Sequence, residues 1–140
     1  MKILAAVDGS PYTRRMLAYL AAHEEWMGPN HAYTLLHVVP AVPPRAAAVI
    51  DKATLKSYYD DTAEKVFKPL RTFCDKQGLA STFVTRVGAA AEVISDMARK
   101  GGYDLLVLGS HGHGSLANLV MGSVATKVLA GCTTPVLLIR

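Results

Sequence analysis

Cysteine is scarce in this 140-residue chain, with only Cys74 and Cys132, far apart and outside any redox motif. A disulfide-stapled scaffold is therefore excluded, and two reduced structural thiols are expected. No apolar run approaches the ~20 residues of a membrane span. The N-terminal run Ile3 to Val7 is too short for a signal-peptide core, so no membrane association and a cytoplasmic location are expected. Lys and Arg are scattered and the net charge is a mild +4, which leaves no footprint for nucleic acid. Acidic residues stop at Asp104: from Leu105 to Arg140 no carboxylate stands to repel an anion.

What is present is a globular composition, 51% apolar and 19% charged, in a length that suits one domain over residues 1–140. Short apolar runs alternate with helix-like stretches. Ile3 to Val7, Thr34 to Val39, Thr82 to Val87, Leu105 to Leu108 and Val136 to Ile139 are the expected strands. Pro11 to Trp26, Ala53 to Gln77, Ala89 to Arg99 and Asn118 to Ala130 are the expected helices, and the connection from Val42-Pro43-Pro44 to about Ala53 is the expected mobile loop. Ser10-Pro11 places a capping hydroxyl before a proline at the first helical position, while Gly28-Pro29, Gly78 and Gly101-Gly102 stand at expected helix ends. Strands alternating with helices predict an α/β fold: a doubly wound, five-stranded parallel sheet of order 3-2-1-4-5 with helices on both faces. In that order the chain reverses direction between the first and fourth strands, and ligands bind beyond their carboxyl ends.

Two segments are delivered to that crevice, Asp8-Gly9-Ser10 and Gly109-Ser110-His111-Gly112-His113-Gly114-Ser115, with Val38 and Val39 ending the neighbouring second strand. The second segment is a glycine-rich loop that follows a strand and opens onto a helix, a setting that offers backbone N–H groups and a positive helix end to a phosphate. Its glycines have an alternative reading as a tight turn needing positive φ. A Walker A loop is excluded, because no Lys-Ser or Lys-Thr follows a suitable glycine. Gly112 to Ala117 matches G-x-G-x-x-A, but the acidic residue that a dinucleotide site wants ~20 positions later does not exist, which disfavours NAD. His111 and His113 form a His-x-His pair without a nearby Cys, Asp or Glu to complete a metal site. Asp8 can cap the following helix with Ser10 or face a ligand; His37, inside an apolar strand, reads as a satisfied core histidine, and Met97, Met121 and Trp26 read as packing.

Val7-Asp8-Gly9-Ser10, Leu35-Leu36-His37-Val38, Asp104 to Leu108 with Gly109-Ser110-His111-Gly112, Gly122-Ser123-Val124-Ala125 and Thr134 to Ile139 together resemble the universal stress protein family across essentially the whole chain. The nucleotide-binding pattern of that family, G-x2-G-x9-G-S/T, is matched by Gly109, Gly112, Gly122 and Ser123. The resemblance implies an adenine-nucleotide-binding regulatory protein of the stress response, usually a homodimer. Carried over, Asp8 contacts the ribose or adenine side and the Val38 backbone meets the adenine edge. Gly109, Gly112, Gly122, Ser123 and Val124 hold ribose and phosphates, with Ser110, His111, His113 and Ala125 in the same segments. ATP, with Mg2+ or Mn2+ bridging its phosphates, is the expected ligand. Many relatives place Arg or Lys where this chain has His113, so ATP affinity is expected to weaken as imidazole loses its charge between about pH 6 and pH 8.

No G-x-S-x-G elbow surrounds Ser110, Ser115 or Ser123, and spacing assigns no acid/base pair, so at most slow ATP hydrolysis is expected. A nucleotide-independent dimeric interaction protein on the same fold is the alternative. Strand order 3-2-1-4-5 leaves Val136 to Ile139 at the sheet edge, apolar on both faces, and predicts homodimerisation through that strand.

Overall fold

Alternating apolar side chains along the first strand divide the interior into two cores. In a computed structural model, which describes residues 1–114, 118 and 120–140 and only the backbone of Trp26, strand β1 (Lys2–Ala6) buries Ile3 and Ala5 in one core and Leu4 in the other. The remaining strands are β2 (Ala32–Val39), β3 (Ser81–Val87), β4 (Leu105–Gly109) and β5 (Val136–Ile139). All pairs are parallel, in the order β3-β2-β1-β4-β5, as the alternating pattern predicts.

Helices α1 (Pro11–Ala22) and α4 (Lys52–Lys76) contribute Met16, Leu20, Phe67 and Leu70 to the first core. Helices α5 (Ala90–Lys100) and α6 (Ser123–Gly131) supply Ile94, Ala98, Ala125 and Val128 to the second. Burying both faces explains why β1 and β4 read as continuous apolar runs. Cys74 is buried and Cys132 half-buried, both as free thiols.

Three expected elements have different bounds. The helix expected from Pro11 to Trp26 ends at Ala22, and a separate turn, α2 (Glu24–Met27), follows. His23 leaves helical geometry (φ −115°, ψ 54°), and its Nδ1 donates at 2.8 Å to the Tyr19 carbonyl, the oxygen a continuing helix would give to the residue-23 amide. The helix expected from Asn118 starts only at Ser123, because Gly122 is extended (φ −71°, ψ 163°) and its N–H donates to the Ser110 carbonyl at 2.7 Å. The connection after β2 carries a helical turn, α3 (Pro44–Ala47), and is tied to α4 by the Val42 N–H donating to Tyr59 Oη at 2.9 Å.

Helix punctuation follows the sequence more closely. Ser10 caps α1, its hydroxyl accepting from the Thr13 N–H, with Pro11 at the first helical position. Gly78 and Gly102, at φ +64° and +62°, turn the chain out of α4 and α5.

Candidate functional site

The first wall of the crevice is a turn braced by its own side chains. Where β1 ends, Asp8 Oδ1 accepts from the Ser10 N–H and from Thr13 Oγ1, both at 2.9 Å, and Thr13 Oγ1 accepts in turn from the Asp8 N–H at 3.1 Å. Gly9 makes the reversal at φ +77°. Burial pushes the Asp8 carboxyl up, but the hydrogen bonds from Ser10 and Thr13, with the nearby His113, more than offset it and hold the group below its ordinary 3.8. Asp8 is thus a carboxylate with one oxygen engaged in the turn. Its Oδ2 points at the opposite wall, 2.5 Å from where a Cβ on Gly112 would sit.

The second wall is built from missing side chains. A Cβ on Gly109 would lie 2.7 Å from Tyr12 Cβ, and one on Gly122 would lie 3.1 Å from His111 Cα and 3.2 Å from the Ser110 carbonyl. None of Gly109, Gly112 and Gly122 has positive φ; among the loop glycines only Gly114 does, at +73°. The alternative reading of these glycines as a tight turn needing positive φ therefore does not fit Gly109, Gly112 and Gly122: a Cβ would collide with Tyr12 at Gly109, crowd the backbone of Ser110 and His111 at Gly122, and displace the end of the Asp8 side chain at Gly112. Beyond them α6 opens with no side-chain cap and no acidic residue in its first turn. Its first intrahelical bond is Thr126 N–H to Gly122 O, which leaves the amides of Ser123, Val124 and Ala125 without a helical acceptor.

Between the walls lies a cavity of about 340 Å³, beyond the carboxyl ends of β1 and β4. Asp8, Val38, Gly109, His111, Gly112, His113, Gly122, Ser123, Val124 and Ala125, all singled out from sequence, line it. Ser110 does not: it is 1% exposed, its N–H donates to the Ile139 carbonyl, and its hydroxyl pairs with His111 Nδ1 at 2.8 Å. His111 also packs against the Tyr12 ring, 5.0 Å between centroids. His113 reaches across the crevice, its Nε2 donating to the Asp8 carbonyl at 2.8 Å. Among the described residues, no three His, Cys, Asp or Glu side chains gather to hold a metal ion. Ser115, Leu116 and Ala117 of the G-x-G-x-x-A match, and the Trp26 side chain, lie outside the described residues.

Thr13 and His37 also line the cavity and escaped the sequence reading. His37 is 9% exposed and its Nδ1 donates to the Val7 carbonyl at 2.8 Å, so it is satisfied as expected, yet it belongs to the crevice as well. Its place at the carboxyl end of a central strand, one residue before Val38, was the available signal.

A model of the Universal stress protein family matches residues 1–140. A universal stress protein of Synechocystis sp. is 32% identical over 99% of this chain, which spans 42% of that protein's length. A universal stress protein of Thermus aquaticus is 31% identical over 99% of this chain and 97% of its own. Among solved structures, that of the universal stress protein UspA from Lactobacillus plantarum superposes with a TM-score of 0.81 at 21% identity, covering 100% of this chain and 97% of its own. Two others of this fold were solved with nucleotides: one from Archaeoglobus fulgidus with dAMP (TM-score 0.70, 20% identity, 100% and 98% covered) and one from Arabidopsis thaliana with AMP (0.67, 15%, 99% and 90%). The five-stranded order, the glycine-walled crevice and a family match over its whole length place this chain in the universal stress protein family.

Proposed function

We propose that residues 1–140 form one nucleotide-binding regulatory domain that takes ATP, or another adenine nucleotide, in the crevice between Asp8, Val38 and the Gly109 loop. The observation that carries this reading is the meeting of three open α6 amides, those of Ser123, Val124 and Ala125, with the Cβ-free surface of Gly112 and Gly122. Oriented N–H groups at a helix N-terminus suit phosphate. The cavity volume falls in the ~300–1,000 Å³ range usual for small ligands. Related structures with AMP and dAMP support the nucleotide class.

The base end has its own chemistry. The Val7 N–H donates to the Leu36 carbonyl and the Gly88 N–H to the Val39 carbonyl. Strand alternation therefore turns the Val38 N–H and C=O toward β1, past the last pairing of Ala6 with Leu36. A donor beside an acceptor complements the adenine edge, while Asp8 Oδ2 is available to ribose hydroxyls. Mg2+ or Mn2+ would enter with the phosphates it bridges, because the described protein groups form no ligand set. Titration calorimetry of nucleotide-stripped protein with ATP, ADP and AMP is the test: binding is expected, and no heat at millimolar ligand overturns the reading.

A scaffold reading is favoured by one fact, that packing alone excludes a side chain at Gly109. On that reading Gly122→Val leaves partner binding intact. The free edge of β5, the last strand of the sheet, supports a homodimer formed by antiparallel pairing of two such strands. Sedimentation of the wild type at tens of micromolar should show a dimer and Leu138→Lys a monomer. A wild-type monomer, or a Leu138→Lys dimer, removes the β5 interface.

A further inference from the structure

His37 occupies the one acceptor that would close the sheet over the candidate base site. In a parallel ladder a residue's N–H and C=O bond to two residues of the neighbouring strand, spaced two apart. The pairing of Val7 N–H with Leu36 O at 2.9 Å sets that register between β1 and β2. Continued by one step, it would give the Val7 carbonyl to the Val38 N–H. No such bond exists among the described residues; the Val7 oxygen instead accepts from His37 Nδ1 at 2.8 Å. Because a carbonyl only accepts, this contact also sets the imidazole tautomer, with the proton on Nδ1. The ring is 9% exposed and held edge-on against Phe67, 6.2 Å between centroids, so the side chain is anchored from both sides.

We infer that His37 is a positioning residue that holds the Val7 carbonyl and thereby keeps the Val38 amide open to the edge of a ligand's base. The base-reading half of this inference rests on the adenine-nucleotide reading; the amide half does not. Without the imidazole donor, Val7 and Val38 satisfy each other, the ladder extends by one rung, and the crevice loses a hydrogen-bond donor at its base end. The side chain therefore acts on selectivity through the Val38 amide.

Amide hydrogen exchange by NMR on the ligand-free protein tests the first half. In the wild type the Val38 N–H should exchange at least about tenfold faster than that of Leu36, and in His37→Phe it should slow toward the Leu36 value. Titration with AMP and with ribose 5-phosphate tests the second. His37→Phe should weaken AMP about three- to tenfold, the value of one hydrogen bond, and leave ribose 5-phosphate unchanged. His37→Asn, whose amide nitrogen can donate near the position of Nδ1, should restore both the fast exchange and the AMP affinity. A Val38 amide already as protected as Leu36 in the wild type overturns the inference, as do equal losses for AMP and ribose 5-phosphate or a failure of His37→Asn to rescue. If the wild type binds neither ligand, the adenine-nucleotide reading and the base-reading half fall together. The exchange comparison then still decides whether His37 holds the amide open.

Discussion

The two walls of the crevice reach the same end by opposite means. At the end of β1, a turn of polar side chains satisfies itself: Asp8, Ser10 and Thr13 share four hydrogen bonds within six residues of chain. At the end of β4, the chain removes side chains, so that Gly112 lies against Asp8 and Gly122 against Ser110 and His111. One wall is weakened by taking polar atoms away, the other by adding a single carbon. The difference follows from what each wall offers: the first a carboxylate held in place, the second a bare surface with backbone amides directed outward.

The sharpest way to break that contrast is Gly112→Val. Its Cβ would start 2.5 Å from Asp8 Oδ2, so the end of the Asp8 side chain must leave the position in which the turn holds it. Nucleotide affinity should fall by about tenfold to a hundredfold, the equivalent of an overpacking cost of ~1–3 kcal/mol, as calorimetry would measure. Unchanged affinity would show that the close approach is incidental. Thr13→Val is the complementary deletion: it leaves the Asp8 N–H without its acceptor and Oδ1 with one donor fewer. Denaturant unfolding should report a loss of ~1 kcal/mol, with Thr13→Ser close to wild type.

A smaller effect is expected from acid. The Asp8 carboxyl is held below its ordinary 3.8 in the folded chain, so its contribution to stability is complete above the unfolded value and is lost as pH falls through the folded one. Wild type and Asp8→Asn should therefore converge in stability as pH drops below about 4, read from urea midpoints. Parallel curves would mean that the carboxylate charge has no part in bracing the turn. Smallest is the effect of His113, whose side chain spans both walls. His113 is tied to the Asp8 carbonyl, and ATP should bind His113→Ala more weakly than wild type and His113→Arg at least as tightly. Equal affinity of the three proteins would remove histidine from phosphate binding.

Much of the site was legible because its signals are local. Ser10-Pro11 specifies a helix start through one hydroxyl and one ring, and the structure shows both in use. The spacing of Gly109, Gly112, Gly122 and Ser123 located the second wall, although for a reason the spacing does not contain. Positive φ is a property of one residue and its neighbours; the crowding of Gly112 by Asp8 joins positions 104 residues apart and exists only once β1 and β4 pair. His23 shows the same limit on a smaller scale, since its ring replaces a backbone bond that helical periodicity takes for granted.

By itself the sequence determined the alternation of strands and helices, the parallel sheet with both faces covered, and the two segments delivered to the switch point. These follow from hydrophobic period and from turn and cap chemistry, which act over a few residues. Tertiary structure alone decided that Ser110 lies beneath the loop and not in the cavity, and that α6 begins at Ser123 with its amides open. It also decided that His37, apolar by company, stands at the crevice with the Val7 carbonyl in its grasp. In each case the deciding partner, Ile139, Ser110 or Val7, lies in or directly after a strand, and register, which no single segment encodes, sets which atoms meet.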